Sequence, residues 1–298
     1  MRRPPRSRAG PPGAHLRAAA RGACWLLLLA LLAGCGGPDA GRPQGSAPAP
    51  TLMPTPTGPP PPTPAPAAPP ADTGWRQAAP GVELRRLSVS VGGKDAPVTV
   101  ARLDPALVRI EVGYAPDRPL PLATWAGNTG ALAAINGGFF DADGRTVALL
   151  VHAGRAFGES YQGRGGMFAV TPEGAVWLRG LADAPYDPAE PVAEGLQGWP
   201  LLVRPGGEAA FPSDDGARER RSALAVDEAG RVLLVAAPTA AFTLSELAAW
   251  LAGSDLAVAA AVNLDGGGST GLIVRSEAAP ERIDPFTPLP IVLLALPR

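Results

Sequence analysis

From Gly81 to the C-terminus the hydrophobic positions fall in short runs broken by Gly, Pro and Asp, a pattern that predicts β-strands. The runs cover residues 82–91, 98–103, 108–114, 147–151, 167–170, 176–178, 201–203, 223–226, 232–236, 257–264, 272–274 and 291–296. One stretch has helical spacing instead. Thr243-Leu244-Ser245-Glu246 has the form of a capping box, in which Thr243 caps the first turn and Glu246 reaches back to it. Leu244, Leu247, Ala248 and Leu251 then recur on one face, and Gly253 is a natural stop. A second, shorter helix is expected around residues 122–125. Many strands and few helices predict an α+β fold: a single domain of mixed, mostly antiparallel β-strands with a few packed helices.

Two strand pairs are alike. Residues 164–178 and 220–234 align without gaps, each with an arginine, an apolar stretch ending Ala-Val, a turn ending in Gly174 or Gly230, and a second apolar strand. Both read as hairpins, from an internal duplication or from chance.

The pattern changes ahead of Gly81. Six arginines lie among the first 21 residues, and an apolar run, 24–33, follows. This is the layout of an export signal, and the run is well short of the ~20 residues a membrane-spanning helix needs. Leu32-Ala33-Gly34-Cys35 closes it and resembles a bacterial lipobox, which implies lipidation at Cys35. Between positions 48 and 70, 12 of 23 residues are proline. Such a segment favours extended polyproline II and reads as a stalk. The expected organisation is 1–35 signal, 36–80 linker and 81–298 functional domain, held outside the cytoplasm on the cell membrane or outer membrane.

Composition narrows the chemistry. Residues 81–298 carry 18 basic and 25 acidic side chains, a net charge of −7, with no basic stripe, so nucleic acid is not an expected partner. The only cysteines are Cys24 and Cys35, and the domain's one histidine, His152, sits in an apparent strand. A His- or Cys-rich zinc site cannot be assembled. No cofactor is called for, although a hard, oxygen-bound cation such as Ca²⁺ at Asp141 or Asp265 stays open.

Two glycine-rich motifs remain. In Ala134-Ile135-Asn136-Gly137-Gly138-Phe139-Phe140-Asp141 a small apolar strand runs into a tight turn, which by itself could be a hairpin corner. In Val262-Asn263-Leu264-Asp265-Gly266-Gly267-Gly268-Ser269-Thr270 an apolar strand delivers Asn263 and Asp265, alternate residues expected on one face. The three glycines can expose successive N–H groups as an anion-binding nest, and Ser269 and Thr270 add hydroxyls. A carboxylate beside phosphate donors suits a sugar phosphate; a glycine-rich bulge is the plain alternative. Gly267-Gly268-Ser269-Thr270-Gly271 also matches a serine-hydrolase elbow, but a strand rather than a helix follows it and no histidine lies downstream.

These two motifs, with Arg221-Ser222-Ala223-Leu224-Ala225-Val226-Asp227 and Leu244-Ser245-Glu246-Leu247-Ala248 in order between them, resemble the phosphodiester glycosidase family over residues 131–296. The resemblance implies hydrolysis of a sugar-1-phosphodiester, typically one releasing N-acetylglucosamine, by an α/β-type catalytic domain. The family's frequent Ser-Gly-Pro is replaced here by Gln197-Gly198-Trp199-Pro200, and Gly271 follows Ser-Thr. Cleavage at an anomeric carbon calls for carboxylates. Asp265 is the first candidate and Asp141 the second, with Arg221 neutralising the phosphate. The nest of Gly266, Gly267 and Gly268, with Ser269 and Thr270, would bind phosphate oxygens. Asn136 and Asn263, with Gly137 and Gly138 shaping the turn, would hold sugar hydroxyls or orient the acids. The partners expected are a sugar-phosphate or glycopolymer substrate and, through Cys35, a membrane. A non-catalytic glycan-binding module and a hydrolase of another bond are the competing functions.

Overall fold

The computed structural model describes residues 71–277 and 280–298. Cys35, the export signal and most of the stalk lie outside them. The described residues form eighteen strands, two α-helices and one 3₁₀ turn, and every strand pairing among them is antiparallel. The mostly antiparallel expectation therefore holds. The balance is β-rich rather than α+β, and the α/β-type layout implied by resemblance is corrected, because no parallel crossover joins the strands. Strand pairing begins at Arg76–Ala79, ahead of Gly81. No helix among the described residues is long and apolar enough to cross a membrane, which does not bear on β-barrels.

Three sheets share one core. The largest has eight strands, running across it Arg76–Ala79, Val82–Val91, Lys94–Leu103, Val232–Phe242, Glu219–Asp227, Val258–Asn263, Leu201–Arg204 and Glu208–Ala209. A second contains Leu150–His152, Glu194–Gly198 and Gly166–Val170 at its centre, and a third Leu272–Val274, Ala133–Asn136 and Ile291–Pro297. Leu150, Phe168, Leu224, Val262, Ile135 and Leu293, drawn from all three, pack together fully buried.

The strands read as continuous apolar runs because both their faces are covered. Leu224 and Val226 face the shared core, while Ala223 and Ala225 face the helix Leu244–Gly253 with its Leu247 and Leu251. Leu293 and Ala295 likewise face inward, and Val292 and Leu294 face the helix Leu122–Thr129. The predicted capping box is present in both directions.

The two similar segments are both hairpins with the same turn. Thr171 N–H donates to Ala175 O and Gly174 N–H to Thr171 O; Asp227 N–H donates to Arg231 O and Gly230 N–H to Asp227 O. Gly174 and Gly230 take positive φ, +89° and +77°, which glycine adopts without strain.

Candidate active site

The ends of strands from all three sheets meet at the Asn263–Thr270 segment. Asp265 N–H donates to Gly137 O at 3.1 Å, Leu264 N–H to Ser222 O at 2.9 Å, and Asn263 N–H to Pro200 O at 3.0 Å. The approach is close throughout. A Cβ on Gly198 would lie 2.1 Å from Asn263 O, one on Gly138 2.9 Å from Gln197 O, and one on Gly137 2.3 Å from Ile291 Cγ2. Gly137 and Gly138 are therefore required by packing between sheets, not by a ligand.

Asn136 is the clamp of this junction. Its Oδ1 accepts from Ser222 Oγ at 2.7 Å and from Gly271 N–H at 3.1 Å. Its Nδ2 donates to Asp265 O at 2.6 Å and, more weakly, to Gly137 O at 3.3 Å. Fully buried and with its amide spent, Asn136 has nothing left for a sugar hydroxyl. Of the two roles expected for it, holding sugar hydroxyls or orienting the acids, its bond to Asp265 O fits the second: it positions the loop.

The strand itself stops at Asn263, so Asp265 sits on the loop and the shared-face argument does not reach it. Asn263 Nδ2 donates to Trp199 O at 2.9 Å, while its buried Oδ1 has no partner and remains a spare acceptor. Burial pushes the Asp265 carboxyl above the ordinary aspartate range; the Ser269 hydroxyl and the Gly266 N–H act in the opposite direction. Ser269 N–H donates to Gly266 O and Thr270 N–H to Gly267 O, closing a 3₁₀ turn, Gly267–Ser269. The Gly267 and Gly268 N–H groups make no hydrogen bond within the described residues and are the nest's usable donors. Thr270 is buried too, and its hydroxyl, like Asn263 Oδ1, has no partner among the described residues.

Arg221 is buried, not a surface arginine. Phe242 O and Ala217 O accept from its Nε and Nη2 at 3.2 and 2.6 Å. Nη1 remains, and it lies 4.0 Å from where a Cβ on Gly266 would stand. Desolvation lowers its pKa, against the fields of Glu219, Asp214 and Asp215. An oriented guanidinium with one free edge at the loop suits an anion.

Two residues beside the loop were not singled out from the sequence. The Glu219 carboxylate lies 3.9 Å from a Cβ position on Gly267. Arg220 is buried beneath the loop, and its Nη2 donates to Thr270 O and Asp284 O, each at 2.9 Å. No local pattern distinguishes it from Arg221.

Asp141 is placed differently from the expectation. Its Oδ1 accepts from Asp143 N–H and Arg145 N–H, both at 2.9 Å. Asp141 N–H donates to Arg145 O, and Gly144 N–H to Asp141 O. Asp227 does the same in its own turn, its Oδ1 accepting from Ala229 and Arg231. Asp141 is a turn-stabilising residue on an exposed corner, and no hydrogen bond joins it to Asp265. The shared spacing, Asp followed by Gly-Arg at the third and fourth positions, was the available signal.

His152 is half-buried, its Nδ1 3.4 Å from Glu194. Glu194 accepts from Val112 N–H and Ala153 N–H. Glu194, without His152, lines a cavity of about 520 Å³ at the far end of the Ile291–Pro297 strand from the loop. Its buried carboxylate is spent on backbone, so the cavity's size does not make it the chemical centre. Among the described residues no group of three or more His, Cys, Asp or Glu side chains could hold a metal ion.

A family model described as phosphodiester glycosidase matches residues 129–291. No protein of curated function matches the chain. Among solved structures the chain is similar to the catalytic domain of zebrafish N-acetylglucosamine-1-phosphodiester α-N-acetylglucosaminidase, auto-inhibited by its pro-peptide, at 18% identity and a TM-score of 0.58, covering 74% of this chain and 87% of that one. A hypothetical protein from Synechocystis is similar at 18% identity and a TM-score of 0.53, over 73% of this chain and 62% of that one. At such identity the structural likeness establishes the fold.

Proposed function

The chain belongs to the phosphodiester glycosidase family, and on that premise we propose that it hydrolyses sugar-1-phosphodiesters, of the N-acetylglucosamine-1-phosphodiester type, outside the cytoplasm and anchored by lipid on Cys35. The observation that carries the reading is the grouping on one loop of Asp265, with its raised pKa, and two unspent amides at Gly267 and Gly268, with the free edge of Arg221 reaching the same loop at Gly266 from the neighbouring strand.

The amides and Arg221 Nη1 hold the phosphate. Asn263 Oδ1 accepts from a sugar hydroxyl. Asp265 faces the anomeric carbon as nucleophile or as base for water, supporting an oxocarbenium-like transition state. The bond from the anomeric carbon to the phosphate oxygen breaks, water oxygen joins the carbon, and a phosphomonoester leaves. A phosphate ester is a good leaving group, so a second carboxylate is not required, and Asp141 has no step.

The test is turnover of GlcNAc-1-phosphodiesters, and of analogues with other sugars, by the full chain. Release of free sugar by the parent and its loss in Asp265→Asn support the reading. No release by folded protein from any sugar in the panel would overturn it in favour of a glycan-binding module.

A further inference from the structure

Among the described residues only two aromatic side chains are exposed, Trp199 (39%) and Phe286 (79%), and both are tied to the Asn263–Thr270 segment. Trp199 O accepts from Asn263 Nδ2, and Phe286 N–H donates to Gly268 O at 2.7 Å. A single exposed apolar side chain ordinarily needs no explanation. Phe286 differs because the protein holds it still.

Its loop, Asp284-Pro285-Phe286-Thr287-Pro288, is fixed at three points. Phe286 N–H binds the triglycine loop. Arg220 Nη2 binds Asp284 O and Thr270 O together, locking the two loops to each other. Pro285 packs so closely on Gly271 that a Cβ there would lie 2.6 Å from its ring. Glycine at position 271 thus makes room for this loop.

Arg220 also holds the ring itself. Its guanidinium carbon lies 4.1 Å from the Phe286 ring centroid. Arg220 is only 7% exposed, yet among the described residues Nε and Nη1 have no hydrogen-bond partner and no carboxylate pairs with it. The π face of Phe286 stands where those acceptors are missing. One ring face is therefore occupied, while the side chain is otherwise open to solvent, its Cβ 3.8 Å from a Cβ position on Gly268. A cavity of about 220 Å³, lined by Pro121, Leu122 and the Phe286 loop, opens at its edge.

We propose that Phe286 is a stacking platform for a pyranose ring of the substrate, setting which sugar the site accepts. A pyranose has an apolar face of axial C–H groups, and the electron-rich face of a benzene ring attracts such positive edges. A ring pinned through its backbone and its back face loses little freedom on binding. This deepens the proposed function and rests on it for the position of the phosphate.

The experiment uses the full chain and two probes, GlcNAc-1-phosphomethyl diester and inorganic phosphate. Binding is measured calorimetrically in the Asp265→Asn background and turnover in the parent background. Phe286→Ala is expected to weaken diester binding and raise KM about tenfold, with kcat changed less and phosphate binding unchanged. Phe286→Tyr or Phe286→Trp should restore binding, whereas Phe286→Leu, apolar but not flat, should not. Arg221→Ala should weaken both probes. Equal diester binding in parent and Phe286→Ala would overturn the platform even where turnover persists. So would equal rescue by leucine, or a dimer lost on Phe286→Ala. Phe286-dependent sugar binding without turnover would keep the platform and sink hydrolysis.

Discussion

The two glycine-rich motifs look alike on paper, each an apolar strand ending in Asn and followed by glycines, and the structure uses them in opposite ways. Asn136 is saturated, and its glycines are closed in by Ile291 and Gln197. Asn263 keeps a free acceptor, and two of its three glycines face open space: a Cβ on Gly267 or Gly268 would find nothing nearer than 3.9 or 3.8 Å, while one on Gly266 would meet Arg220 O at 2.9 Å. The first motif is a clamp that spends every polar group on the protein. The second leaves groups unspent, and unspent buried groups are what a ligand can use.

This contrast can be broken at several points. The largest effect is expected at Asp265. Asp265→Asn should cut turnover on the order of 10³-fold while the protein stays folded, checked by steady-state kinetics beside circular dichroism. Asn136→Ala should act on stability instead. It leaves Ser222 Oγ, Gly271 N–H and Asp265 O without partners, at about 3 kcal/mol or more in urea unfolding. A mutant of normal stability would mean Asn136 is not the clamp.

Glycine substitutions sharpen the same line. Gly137→Ala forces a methyl against Ile291 and should cost about 2 kcal/mol, whereas Gly268→Ala should stay within about 0.5 kcal/mol of the parent. Equal costs would erase the distinction. Asp141→Ala should lose about 1 kcal/mol with its turn bonds and leave turnover unchanged; a large kinetic defect would return Asp141 to the chemistry.

The smallest effect is a pH dependence. The Asp265 pKa is raised in the folded state, so the folded protein binds the proton more tightly than the unfolded chain. The resulting stabilisation is full below the ordinary aspartate value of 3.8 and is lost as pH rises through the folded value. At neutral pH the ionised carboxylate is a burden. Asp265→Asn should therefore melt higher than the parent at pH 7, with the gap closing in acid.

What the sequence could show divides along local and non-local lines. The capping box of Thr243 and Glu246 and the twin hairpins depend on neighbours within a few residues, and both were legible. So was the turn role of Asp141, had its spacing been set beside that of Asp227. Asn136 could not be read, because its partners come from Ser222, Gly271 and Asp265, far apart in the chain. Arg220 and Arg221 are adjacent and chemically identical, and only alternation on a strand sends one beneath the loop and the other to its rim. Phe286 sits in a proline-rich stretch that reads as an ordinary loop until its hydrogen bond to Gly268 is seen.

The most direct test of the central claim is the fate of the water oxygen. Hydrolysis of a GlcNAc-1-phosphodiester by the full chain in ¹⁸O-labelled water would be followed by mass spectrometry of both products, early enough to avoid exchange at the anomeric carbon. Attack at that carbon, beside Asp265, predicts one label in the released sugar and none in the phosphomonoester. Label in the phosphate would show cleavage at phosphorus and contradict the glycosidase account.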